Sequence, residues 1–225
     1  MSIIENYRRI REEIDTIALS CGRKAGDVRI IAVSKTISEA VVQDAIDTGI
    51  SIFGENKVQE AKRKIPELSG DFAFHMIGHL QSNKARDAVR LFDLIHSIDT
   101  WSTAERVNAE AASIGKMQKI LIQVNASGEE SKSGIDPESI DGLVSRVMEC
   151  DNLEIRGLMT MAPFTDDVDV IRNCFRTAGA LMDKIYALHG VRLRDLSMGM
   201  SSDYRIAVEE GSTMVRIGTA LFGNR

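Results

Sequence analysis

The feature that most narrows the fold of this chain is a regular switch of hydrophobic period. From Arg29 onward, short β-branched or apolar runs alternate with longer segments patterned for helices. Buried parallel strands read as near-continuous apolar runs, and the crossover helices between them carry an apolar stripe with a 3.6-residue period. The strand-like runs fall at residues 29–35, 51–54, 73–78, 94–98, 119–125, 153–161, 195–198 and 214–221. Helical segments lie between them at 39–48, 57–68, 103–114, 138–150, 168–188 and 203–210, and Lys57 and Lys84 open predicted helices as surface charges. Gly49, Gly115, Gly190 and Gly211 stand where helices should stop. A helix C-terminus favours a left-handed residue, which glycine supplies without a Cβ clash. Ahead of this alternation, Ser2 and Glu5 form an S-x-x-E capping pattern, and Ile3, Tyr7, Ile10, Ile14 and Ile17 share one face, predicting an extra N-terminal helix.

Strand then helix, about eight times over roughly 200 residues, predicts an α/β fold of the TIM (β/α)8 barrel type. An open doubly wound sheet uses the same alternation, but it would normally carry G-x-G-x-x-G after its first strand. Here that strand ends in Val33-Ser34-Lys35-Thr36. There is no linker-like stretch or shift of composition, so residues 1–225 are expected to form a single barrel domain with no C-terminal β domain. Apolar residues at 44% and charged residues at 27% argue against disorder. A net charge of -5 offers no footprint for nucleic acid or an anionic membrane. Cys21, Cys150 and Cys174 lie far apart without ligand spacing, the usage expected of reduced thiols. No apolar run approaches the ~18–20 residues of a membrane helix. Arg8, Arg9 and Arg11 interrupt any signal-like core, and the expected compartment is the cytoplasm.

Barrel enzymes and binding proteins place their functional groups at the C-terminal ends of the strands. The first strand delivers Lys35 there. Taken alone, Lys35 reads first as a lysine whose stem covers apolar surface while its amine stays in water. The other reading is a Schiff-base lysine, which must be neutral to attack and therefore needs a desolvated or electropositive setting. The seventh strand is followed by Ser201 and Ser202, with a helix expected to begin near Ser202, and the eighth by Gly218 and Thr219. Loops after strands seven and eight often hold phosphate in this fold, with hydroxyls and free backbone N–H groups as donors. Ordinary helix capping explains one serine equally well. Arg216, inside the last strand, can also be read as one half of an ion pair within a barrel layer. Met159 and Met161 suit barrel filling, with Met159 falling near the mouth. His96 and His189 are too isolated to suggest metal ligands. Lys132 reads as a solvated loop lysine or a secondary amine or phosphate site.

Several stretches together carry a resemblance: Ala32-Val33-Ser34-Lys35, Phe53-Gly54-Glu55-Asn56, His75-Met76-Ile77-Gly78-His79-Leu80-Gln81-Ser82-Asn83-Lys84, Gly157-Leu158-Met159, Leu196-Ser197-Met198-Gly199-Met200-Ser201, and Gly211-Ser212-Thr213-Met214-Val215-Arg216-Ile217-Gly218-Thr219. In this order and over essentially the full chain, the sequence resembles the YggS/PROSC family of pyridoxal 5'-phosphate (PLP) homeostasis proteins. These are similar to the barrel domain of alanine racemase. The resemblance implies a fold-type III PLP-binding barrel, PLP as cofactor, and Lys35 as the lysine of the internal aldimine. It implies Ser201, Ser202, Gly218 and Thr219 as phosphate contacts and Arg216 as the partner of the pyridine nitrogen, with Asn56 and His75 lining the cofactor from strands two and three; Met159, by its place near the mouth, is added as a cofactor-binding candidate. An arginine there can only donate hydrogen bonds, which keeps the ring nitrogen unprotonated and the ring a poor electron sink.

The expected function is therefore a non-catalytic, monomeric PLP carrier serving PLP-dependent apo-enzymes, with no nucleic-acid or membrane partner. A racemase-like PLP enzyme using His75 or Tyr204 as a second acid/base is the alternative. A PLP-independent barrel, such as a Schiff-base aldolase or sugar-phosphate binder, is the third.

Overall fold

The chain begins with α1 (Ile3–Ser20), and the capping box read from the sequence is formed: Ser2 Oγ accepts from the Glu5 amide while Glu5 accepts from the Ser2 amide. The alternation then follows as β1 (Arg29–Val33), α2 (Glu39–Asp47), β2 (Ile52–Glu55), α3 (Val58–Lys64), β3 (Ala73–Met76), α4 (Ala85–Leu91), β4 (Leu94–Ile98), α5 (Trp101–Ser113), β5 (Gln118–Gln123), α6 (Ile140–Met148), β6 (Leu153–Met159), α7 (Val168–His189), β7 (Asp195–Met200), α8 (Tyr204–Glu209), β8 (Met214–Ile217) and α9 (Thr219–Phe222). The computed structural model describes residues 2–129 and 133–223. Lys132 lies outside them.

All the strands pair in parallel with their neighbours in sequence order, and β1 closes on β8 with Ile31 opposite Arg216. The sheet is a closed barrel, which removes the open-sheet competitor. Gly190 ends α7 with φ 70°, the left-handed cap the sequence predicted. Two boundaries differ from the sequence reading. The run at 214–221 stops being a strand at Ile217, and Thr219–Phe222 coil into a short helix. Ser201–Asp203 form a turn, so α8 starts at Tyr204 rather than near Ser202.

Outward-facing strand residues such as Ile30, Phe53, Phe74, Ile95, Ile120 and Val215 pack with the helices into one large core. Each fully buried Ile, Phe or Val contributes about 1.5–3 kcal/mol, so this shell dominates stability. Close approach of β6 to β7 requires glycine: a Cβ at Gly157 would lie 1.6 Å from the Asp195 carbonyl oxygen.

The barrel interior is layered, as expected when inward residues of tilted strands interdigitate. Arg29, Glu154, Arg156 and Asp195 form an ion-pair network towards the N-terminal end. Ile31, Leu94, Leu121, Met159 and Met214 make a small apolar cluster inside the barrel. His75, His96, Ser197 and Arg216 form a hydrogen-bonded polar set beside it, and Arg216 reaches the mouth.

Candidate functional site

A cavity of about 440 Å³ opens at the C-terminal end of the barrel, within the range of roughly 300–1,000 Å³ common for ligand pockets. Its wall includes Lys35, Asn56, Ser201, Ser202, Arg216, Gly218 and Thr219, so seven of the nine residues singled out from the sequence converge there. Val33, Ile77, Met161, Phe164 and Met200 supply the apolar remainder. Ser202, Thr219 and Phe164 are exposed at the rim, Lys35, Asn56 and Ser201 are half-buried, and Arg216 is buried at the base.

His75 and Met159 are not part of this wall. His75 is buried, and Met159 is fully enclosed in the small apolar cluster inside the barrel. Side chains two residues apart share a strand face, so the residues that reach the mouth are Ile77 and Met161, two positions further along the same directions. Alternation identifies the inward face of each strand but not the height of each residue along the barrel axis.

On the β7–β8 side the two loops touch, the Ala220 amide donating to Ser201 Oγ at 3.3 Å. The Ser201 and Ser202 amides have no partner among the described residues. The Thr219 amide opens α9 and cannot be satisfied within that helix. These N–H groups, with the hydroxyls of Ser202 and Thr219, form a donor-rich edge suited to an oxyanion. The Met200 amide is instead taken by Asp203 Oδ1 at 2.5 Å, which fixes the turn.

Arg216 is the cation nearest the base. Its NH1 donates to the Ser197 carbonyl at 2.9 Å and to Ser197 Oγ at 2.7 Å, and its NH2 donates to the Thr160 carbonyl at 3.0 Å. It makes no ion pair among the described residues, so the reading of Arg216 as half of a barrel-layer ion pair fails. Burial pushes the guanidinium down to about 10, with Asp203 opposing the shift, and it remains charged at neutral pH.

Beneath Arg216 the hydrogen-bond directions can be assigned. A guanidinium only donates, so Ser197 Oγ accepts from it. The remaining partner of that fully buried hydroxyl is His96 Nδ1 at 3.0 Å, which must accept the serine hydrogen. His96 then carries its proton on Nε2 and donates to His75 Nδ1 at 3.0 Å. Burial lowers His75 from 6.5 to about 3 and His96 well below its usual value, so both rings are neutral at physiological pH. His96, read from sequence as isolated, is the middle of this chain. The signal for it was present: His75 and His96 lie on the inward faces of adjacent strands.

Tyr204 lies outside the cavity. It is buried against α1, where its hydroxyl donates to Glu13 Oε2 at 2.7 Å, and burial pushes it up to about 12.

Residues 5–225 match the family model described as the alanine racemase N-terminal domain. A protein of Aquifex aeolicus named pyridoxal phosphate homeostasis protein is 37% identical, the match covering all of this chain and 99% of the relative. An Escherichia coli K12 protein of the same name is 39% identical over 99% of this chain and 97% of the relative. The chain belongs to the family of pyridoxal phosphate homeostasis proteins. Among solved structures, PipY of Synechococcus elongatus PCC7942 with PLP bound superposes with a TM-score of 0.84 at 38% identity. That match covers 93% of this chain and all of PipY. Among the described residues, no helix is long and apolar enough to cross a membrane.

Proposed function

We propose that this chain holds PLP, attached through the Lys35 amine, and serves PLP homeostasis without catalysing a reaction of its own. One observation carries this reading: a lysine after β1, an unsatisfied donor edge after the neighbouring strands β7 and β8, and a buried arginine at the base all line one cavity. The match to PLP in kind is close. A phosphate needs donors, which the amides of Ser201, Ser202 and Thr219 supply. A pyridine nitrogen needs a hydrogen-bond donor, and Arg216 is the buried one at hand. When bound, PLP supplies an aldehyde carbon for the lysine and a conjugated ring able to accept electrons.

The residues themselves argue for holding rather than turnover. Arg216 cannot lend a proton to the ring nitrogen as a carboxylic acid would, so it does not promote electron withdrawal. The two candidates for a second acid/base are both engaged elsewhere: Tyr204 bonds Glu13, and His75 is neutral and buried under the base. Half-buried Lys35 and the exposed rim residues leave the cofactor accessible, which suits a cytoplasmic monomer that hands PLP to PLP-dependent apo-enzymes. Asn56 lines the same cavity. Gly78 keeps it there, since a Cβ at that glycine would stand 2.3 Å from the Asn56 carbonyl oxygen.

The test is an absorption spectrum of the purified protein with PLP before and after borohydride, followed by peptide mass mapping. A pyridoxyl group on Lys35, absent in Lys35→Ala, is expected; one found elsewhere and not on Lys35 overturns the site. Exchange of an amino acid's α-hydrogen in D₂O beyond that caused by free PLP, and lost in Lys35→Ala, would establish the racemase-like alternative instead.

A further inference from the structure

Lys35 sits in a turn that the cavity does not hold in place. The Ile37 amide donates to the Ser34 carbonyl at 3.0 Å, so Lys35 and Thr36 are the central residues of a four-residue turn. Thr36 has φ 63°, the one non-glycine residue with positive φ among the described residues. A turn with positive φ at its third position normally places glycine or asparagine there. For a β-branched residue this conformation is an outlier that persists only where surrounding contacts impose it.

Those contacts come from a charged cluster behind the turn. Lys64 Nζ donates to the Ser34 carbonyl at 2.8 Å, to Glu55 Oε1 at 2.6 Å and to Glu60 Oε1 at 3.0 Å. Glu60 Oε1 also accepts from the Thr36 amide at 2.5 Å, and Ser34 Oγ donates to Glu55 Oε1 at 2.7 Å. Thus the carbonyl just before Lys35 and the amide just after it both end on this cluster. Lys64, Glu55 and Ser34 are fully buried, and burial raises the Glu55 pKa even against the opposing pull of Lys64 and Ser34. Burying an ion pair is expensive, and an apolar group of similar volume is often as stable or better. What apolar side chains cannot provide is directional bonding to the two peptide groups flanking Lys35.

We propose that Lys64 and Glu60 are positioning residues for Lys35: they clamp its strained turn and so fix where its amine enters the cavity. The proposal rests on Lys35 being the PLP-bearing residue, and its test separates the two ideas. In cofactor-free protein, Glu60→Ala should speed hydrogen exchange of the Thr36 amide at least about tenfold while leaving the Ile31 amide in β1 unchanged, as a local opening does. Glu60→Gln keeps a side-chain oxygen acceptor and should retain the protection.

With PLP added, the rate at which borohydride traps a pyridoxyl group on Lys35 should fall roughly 10–100-fold in Glu60→Ala, the cost of misplacing a reacting group by about an ångström. It should stay near the parent rate in Glu60→Gln. Lys64→Met, matched in volume and releasing the Ser34 carbonyl, should slow trapping in the same direction and guards against a folding defect in the first variant. Parent-like trapping in both Glu60→Ala and Lys64→Met overturns the clamp, as does Glu60→Gln being as slow as Glu60→Ala. If the parent never acquires the group on Lys35, the PLP reading fails, and the exchange data still decide whether the cluster holds the turn.

Discussion

The barrel carries arginines towards both of its ends, and the two ends treat them in opposite ways. Towards the N-terminal end, Arg29 and Arg156 share the buried carboxylate of Asp195, and Arg156 also meets Glu154 at 2.9 Å. Both guanidinium groups are partly solvated, so their charges are compensated twice, by water and by carboxylates. Towards the mouth, Arg216 is buried against the Ser197 and Thr160 carbonyls and the Ser197 hydroxyl, with no carboxylate bonded to it among the described residues. A buried charge with no carboxylate bonded to it, offset here only by the nearby charge of Asp203, costs stability. The first arrangement is closed by its own carboxylates; the second is the one that the proposed function assigns to an incoming acceptor.

Three experiments press on this contrast. The largest effect should come from Asp195→Ala, which strands two arginines. Breaking a buried pair costs about 3–5 kcal/mol, but solvent screening of the half-exposed Arg29 reduces the expected loss to about 2–3 kcal/mol. Denaturant unfolding measures it, and PLP retention by the folded protein should not change. Arg216→Met should reverse the pattern. Cofactor-free stability should fall by less than in Asp195→Ala, whereas PLP affinity should drop roughly ten- to a hundredfold, the worth of a charge-assisted hydrogen bond of about 1.5–3 kcal/mol. Equal losses of stability in the two variants, with retained PLP affinity in Arg216→Met, would erase the distinction.

The smallest effect per unit of pH concerns the imidazoles. His75 is held near 3 when folded and titrates near 6.5 when unfolded, so between those values the unfolded state binds the extra proton. Its contribution is complete above pH 6.5 and is lost as pH falls towards 3, by at most about 1.4 kcal/mol per pH unit. His96 shifts in the same direction. Urea unfolding across this range should therefore give a shallower acid limb for His75→Gln than for the parent; parallel limbs would mean that the ring is not neutral and buried in solution.

Much of the candidate site's convergence was legible because its residues lie at strand ends. Lys35, Ser201, Ser202, Gly218 and Thr219 each follow directly after, or close to, an apolar run, and a closed parallel barrel brings all such ends to one rim. His75 and Met159 were misplaced in height for the same reason: both lie inside strands, where position along the axis depends on tilt and stagger. Lys64 carried no usable signal. It ends a basic Lys62-Arg63-Lys64 stretch on a helix, and only one of the three turns inwards to Glu55 and the Ser34 carbonyl.

The amino-acid order alone settled the strand–helix alternation, the capping of α1 and the lysine that leaves its first strand, while the closure into a barrel was an expectation that the strand pairing decided. These follow from local hydrophobic period, backbone preference and the rule that parallel strands need crossovers. Which buried polar groups meet was decided by tertiary structure. The join of Arg216 through Ser197 and His96 to His75, and of Lys64 to the turn holding Lys35, depends on the register between strands distant in sequence, and that register is fixed by closing the sheet on itself.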